Sequence, residues 1–103
     1  MKTKCYIKIL MVDYIDNQPG FAKCMFQNGF GDEIIIYEKI PVLTTRLINQ
    51  ETPLPTTLDL PGFIDSVEYE TKTILNFTTD HNIEDNCGNN HFMIKKEDLI
   101  IHT

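Results

Sequence analysis

The chain has 103 residues, 42% of them hydrophobic and 23% charged, proportions that fit one globular domain with its own core and exclude a disordered tail, a fibre or a repeat array. The formal net charge is −6, and it is unevenly placed: residues 1–51 carry six basic and six acidic side chains, residues 52–103 three basic and nine acidic. A second half of that kind repels a phosphate backbone and suits a basic partner, chiefly through the rate of encounter.

Residues 3–15 alternate as a long strand. Cys5, Ile7, Ile9, Met11 and Ile15 fall on one face, and Tyr6, Leu10, Val12 and Tyr14 on the other with Lys4 and Lys8. With both faces apolar around Leu10 to Val12, the strand is expected to be covered on two sides or to bend there between two parts of a barrel. Lys8 interrupts the N-terminal apolar run and no small-residue cleavage site follows, so a secretory signal is not expected. The longest clean apolar runs, Ile9–Val12 and Ile34–Tyr37, fall far short of the ~20 residues that cross a bilayer. The expected location is the cytoplasm. Cys5, Cys24 and Cys87 are an odd set, two of them within strand patterns, and are read as reduced.

Asp16 to Gly20 ends the first strand, with Pro19-Gly20 supplying type II turn chemistry. A second strand is expected over Phe21–Gln27, with Ala22, Cys24 and Phe26 on one face. Asn28-Gly29 marks a hairpin, and Gly31 and Asp32 point to a loop of four or five residues. The third strand, Glu33–Ile40, is β-branched and closed by Pro41.

Residues 44–51 are the best helical candidate, with a short strand as the alternative. Pro53, Pro55 and Pro61 predict a surface loop, and Pro61-Gly62 a second turn. A fourth strand is expected over Phe63–Thr71, with Phe63, Val67 and Tyr69 inward, and a fifth over Thr73–Thr79, burying Leu75 and Phe77. The polar segment 80–90 precedes a last strand, His91–Lys96, a turn at Lys96-Glu97-Asp98, and Leu99-Ile100-Ile101. Six or seven strands with minimal helix predict an all-β fold, a small antiparallel barrel or sandwich of OB-like or SH3-like kind, in one domain over residues 1–103.

No stretch carries a recognisable catalytic, nucleotide or metal motif. In the segment DHNIEDNCGNNH, a zinc site from His81, Cys87 and His91 is one ligand short. A calcium loop fails at its sixth position, Asp85, and its twelfth, His91. Cys87 beside His81 or His91 is no nucleophile motif, and the single serine, Ser66, is flanked by acids. The chain is therefore expected to be non-enzymatic and to use no cofactor or metal.

Lys2, Lys4, Lys8, Lys95 and Lys96, with Tyr6 and Phe92, would form a single-strand-binding surface if the first and last strands were neighbours. The net charge opposes that use. The acids Asp65, Glu68, Glu70, Asp80, Glu84 and Asp85 would make one negative face if the fourth and fifth strands formed a hairpin, and these are the candidate partner-binding residues. The expected function is non-catalytic docking of a basic protein partner, as an immunity or inhibitor protein would do. A nucleic-acid-binding barrel is the alternative and a small-molecule-binding barrel the third reading; no membrane partner is expected.

The strings DNQPGFAKC and GFGDEIIIYEKIPV, with PGFI and the closing F-x-I-x-x-E-D-L segment, resemble small uncharacterised bacterial β-barrel proteins. The shared features are turn glycines, prolines and core positions, so the resemblance implies a fold and no activity.

Overall fold

A single strand, β1 (Lys2–Ile15), runs the length of the molecule, and every other strand is placed by its relation to it. The structure, a computed structural model, describes residues 1–15 and 20–101. The expected Pro19-Gly20 turn therefore lies largely outside the described residues. The strands after β1 are β2 (Phe21–Gln27), β3 (Glu33–Lys39), β4 (Thr56–Asp65), β5 (Ile74–Thr79), β6 (His91–Lys95) and β7 (Leu99–Ile100). All pair antiparallel in the order β3-β2-β1-β4-β5-β6, with β7 on β1. The result is a seven-stranded sheet curled into a half-barrel. Two short helices, α1 (Ile40–Leu43) and α2 (Ser66–Thr71), interrupt it. No helix among the described residues is long and apolar enough to cross a membrane.

The doubly apolar middle of β1 is explained by a bend. One edge pairs with β4 from Lys2↔Asp65 to Met11↔Thr56, and the other pairs with β7 at Tyr6 and Ile7 and with β2 from Leu10 onward. Between Met11 and Asp13 the β2 register slips, as a β-bulge does, which re-aims the side chains that follow. Cys5, Ile7, Ile9 and Met11 are buried, and past the slip it is Tyr14 that packs on the core. Leu10, on the other face, stays partly exposed. They meet Leu58, Leu60 and Ile64 of β4, Leu75 and Phe77 of β5, and Phe92 and Ile94 of β6. The alternation of β2 and β5 is as expected, with Ala22, Cys24, Leu75 and Phe77 all inside.

Three expectations are corrected. Residues 44–51 form neither helix nor strand; the helical turn lies just before them, at Ile40–Leu43, with Pro41 in its first turn, where a missing N–H is harmless. The proline-rich stretch is no loop beyond Pro55: Leu58, Leu60, Gly62 and Ile64 alternate inward, and β4 pairs with β1 over ten residues. Pro61 is tolerated there because β5 joins β4 only at Gly62 and Phe63, leaving the far edge open beside the proline. Finally, Phe63–Thr71 is not one strand. It ends at Asp65 and continues as α2, so Ile64 is buried while Val67 is 66% exposed.

Candidate binding surface and cleft

The six candidate acids divide into two groups in sequence, one on each side of β5. Asp65, Glu68 and Glu70 sit on or beside α2, which leads into β5; Asp80, Glu84 and Asp85 sit in the segment that leaves it. Asp65 itself is not at the far end of β5: the Gly62↔Thr79 register sets it only three strand residues, ~10 Å, from the level of Thr79, while Glu68 and Glu70 lie on α2. β4 and β5 do pair antiparallel, but the residues expected to extend the fourth strand coil into α2, so Glu68 and Glu70 lie on that helix and not on a strand face.

Most of these carboxylates serve the fold. Asp65 caps α2, its Oδ1 accepting from the Val67 N–H at 2.8 Å and the Glu68 N–H at 3.2 Å. Glu68 pairs with Lys72 at 2.9 Å, one helical turn on. Asp80 pairs with Lys4 at 3.3 Å. Desolvation acts to raise the Asp80 carboxyl, but the His81 N–H and the Lys4 ammonium together hold it below its usual value. Asp85 closes a tight turn, its Oδ1 accepting from the Cys87 and Asn89 N–H groups at 2.9 and 2.8 Å. Glu70 and Glu84 are exposed and make no ion pair among the described residues.

The cap gives a pH signature. The Glu68 and Val67 N–H groups, which prefer the ionised form, hold the Asp65 carboxyl below its usual 3.8. A lowered folded-state value contributes stability that is present above 3.8 and lost as pH falls through the lowered value. Asp65→Ala is therefore expected to melt a few degrees below the parent at pH 7, with the gap narrowing as pH falls below 4. Parallel thermal melts from pH 7 to pH 2 read this directly, and a gap that does not depend on pH would remove the cap's role.

The segment after β5 is rigidly built. Thr79, the buried polar residue of the core, donates its hydroxyl to the Ile83 carbonyl at 2.6 Å, and Ile83 is fully buried. His81 and Asn82 adopt left-handed backbone angles, a conformation uncommon outside glycine but enriched in both asparagine and histidine. The Asn86 N–H donates to the Ile35 carbonyl at 2.9 Å, fastening the segment to β3. His81, Cys87 and His91 are all exposed, and no three His, Cys, Asp or Glu side chains converge with metal-ligand geometry among the described residues. Burial pushes the Cys5 thiol up to about 11 and that of Cys24 up to about 12, which keeps both protonated at neutral pH.

The expected lysine surface is likewise divided. The strand that pairs with β1 is β7, and β6 lies across the sheet beside β5, so Lys95 and Lys96 do not join Lys2, Lys4 and Lys8. The Lys96 ammonium lies 4.4 Å from the centre of the Tyr69 ring. Lys4, Tyr6, Lys8, Arg46 and His81 do border a groove on the outer face. There Lys4 is paired with Asp80 and Lys8 with Asp59, while the Arg46 guanidinium donates to the Thr57 carbonyl at 2.9 Å.

A cleft that no local sequence pattern signals opens in the barrel wall. After the Leu10↔Met25 pair, β2 leaves β1, because the five-residue hairpin loop 28–32 is tied to β6 instead. The Gly29 N–H donates to the Met93 carbonyl at 2.6 Å, and the Phe26 ring meets Phe92 edge-on at 5.3 Å. On the same edge β7 pairs no further than Ile7, so Lys8 and Ile9 have register partners in β4 alone. The opening measures about 670 Å³; Leu10, Met25, Phe26 and Ile100 supply its partly exposed apolar surface, the buried Ile7, Ile9 and Ile94 lie behind them, and Glu33, Glu97 and Asp98 stand around it. Those three carboxylates are exposed and in no ion pair among the described residues, whereas Lys8 is held by Asp59 at 3.2 Å. The lining comes from segments far apart in sequence, and no local pattern announces their meeting.

Compared with known proteins, the chain matches no family model, no curated protein sequence and no solved structure.

Proposed function

We propose that the protein is a non-catalytic binding module that docks a basic protein partner on its acidic surface, in the manner of an inhibitor or immunity protein that covers a cationic site. One observation carries this reading: five of the nine basic side chains are engaged within the fold, and the exposed carboxylates in no ion pair among the described residues outnumber the remaining lysines, Lys2, Lys23, Lys39 and Lys95. Lys4, Lys8 and Lys72 are in ion pairs, Arg46 is bonded to the main chain and Lys96 lies on Tyr69. Glu33, Glu70, Glu84, Glu97 and Asp98 have no such partner among the described residues. Unpaired carboxylates on a rigid scaffold steer a cationic partner and favour fast encounter. The nucleophile candidates give no contrary support, since the Ser66 hydroxyl is bonded to that of Thr3 and two of the three thiols are buried.

The test is kinetic. With a partner captured from source lysate, the double reversal Glu70→Lys/Glu84→Lys is expected to slow association on the order of tenfold at low salt. The difference should shrink as the Debye length contracts to about 3 Å near 1 M salt. An unchanged association rate, or a captured partner that is itself acidic, would set the proposal aside.

A further inference from the structure

The opening between β2 and β7 offers a chain segment partly exposed apolar walls in Met25, Phe26 and Ile100 and a rim on which Glu33, Glu97 and Asp98 outnumber Lys8. We propose that this cleft is the anchoring seat for a short basic–apolar segment of the partner's chain, an inference that rests on the basic-partner reading above. An apolar side chain of the segment rests against Met25, Phe26 and Ile100, and flanking lysine or arginine side chains meet Glu33, Glu97 and Asp98.

Charge decides the class of occupant. The lysine at the opening, Lys8, is paired with Asp59 at 3.2 Å, and with Glu33, Glu97 and Asp98 the rim is net negative, which disfavours an anionic or phosphate-bearing ligand. A purely apolar ligand would leave those carboxylates unused and partly desolvated, which costs free energy. A cationic peptide satisfies both the lining and the rim. The cleft volume of about 670 Å³ lies within the ~300–1,000 Å³ range of small binding sites, enough for a few residues and not for a folded surface. The hairpin loop that draws β2 away is fastened by the Gly29 N–H to the Met93 carbonyl at 2.6 Å, and a Cβ at Gly29 would lie 3.0 Å from Ile74 Cγ2, so a larger residue there requires its neighbours to give by a few tenths of an ångström.

The test uses the full chain labelled with ¹⁵N and two synthetic peptide pools. One is acetyl-Gly-Arg-Φ-Lys-Gly-amide, with leucine, isoleucine, valine or phenylalanine at Φ; the other has glutamate in place of the two basic residues. The basic pool is expected to give saturable amide shifts concentrated at Lys8, Ile9, Phe26 and Glu97. Glu97→Gln/Asp98→Gln, two exposed positions that leave the spectrum otherwise intact, should weaken that binding on the order of fivefold. Shifts confined to α2 and to residues 80–85, with the cleft amides silent, overturn the cleft and leave the acidic docking surface standing. An equal response to the acidic pool overturns both. No response to either pool up to about 5 mM, where even binding worth only ~3 kcal/mol would register, overturns the cleft and leaves docking to its own kinetic test.

Discussion

Replacing Gly62 with alanine is expected to destabilise the protein by about 3 kcal/mol or more, the upper end of what an inserted methyl does in a packed interior. A Cβ built at this position lies 2.4 Å from Phe77 Cζ and 2.5 Å from the Thr78 carbonyl oxygen. Neither neighbour can yield. Phe77 is fully buried, and the Thr78 carbonyl belongs to the β5 main chain at the only place where β5 meets β4, the pairs Gly62↔Thr79 and Phe63↔Thr78. For a domain of this size the loss corresponds to a midpoint lowered by roughly 12–24 °C. Gly31→Ala is the control. Gly31 has a positive φ of 85° but nothing within 4 Å, so alanine there meets only backbone strain of about 1 kcal/mol. Urea denaturation of the two variants should place Gly62→Ala well below Gly31→Ala, and a Gly62→Ala loss under about 1 kcal/mol would show that β4 and β5 do not cross so closely. The cost would also reach the surface, because β5 sets the positions of both acid groups.

Gly62 illustrates where sequence reading succeeded and failed. Pro-Gly is a turn signal when judged locally, and Pro61-Gly62 was expected to be one. In the fold both residues lie mid-strand, the proline beside an open edge and the glycine under a phenylalanine ring. Which role applies is settled by the neighbouring strands, and their pairing is not local information. Where the signal was local, expectation and structure agree: Phe21–Gln27 is a strand, the hairpin loop after it has five residues, and residues 96–98 form a turn. The α2 helix was legible and missed. Asp65 followed three residues on by Glu68 is the spacing of a helix start, but an alternation of Phe63, Val67 and Tyr69 suggested a strand with equal force. Each acid is legible on its own, yet their arrangement depends on that helix, and the cleft depends on the path of β2 after Met25. Neither is written in any short window of the chain.

Ile83 carries the second large effect. It is the one large apolar residue in the very polar stretch from Asp80 to Asn90, and it is 0% exposed. Ile83→Ala removes three buried methyl or methylene carbons and leaves a cavity under a segment with little other apolar anchorage, an expected loss of about 3 kcal/mol. The position also has a particular geometry. The Ile83 carbonyl accepts the Thr79 hydroxyl, and three residues on, the Asn86 N–H reaches the Ile35 carbonyl on β3. Loss of the side chain should therefore loosen the segment before it unfolds the domain. Hydrogen exchange at Asn86 is expected to accelerate more than exchange in β1 or β4, because local opening needs less free energy than global unfolding. Uniform acceleration would mean that the segment and the barrel open together, and a loss below about 1 kcal/mol would mean that Ile83 is no anchor. The variant also separates two ways in which Glu84 could act in docking. If placement matters, Ile83→Ala slows association even though every charge is retained. If only the summed field steers the partner, the rate stays at the parent value while the segment exchanges faster.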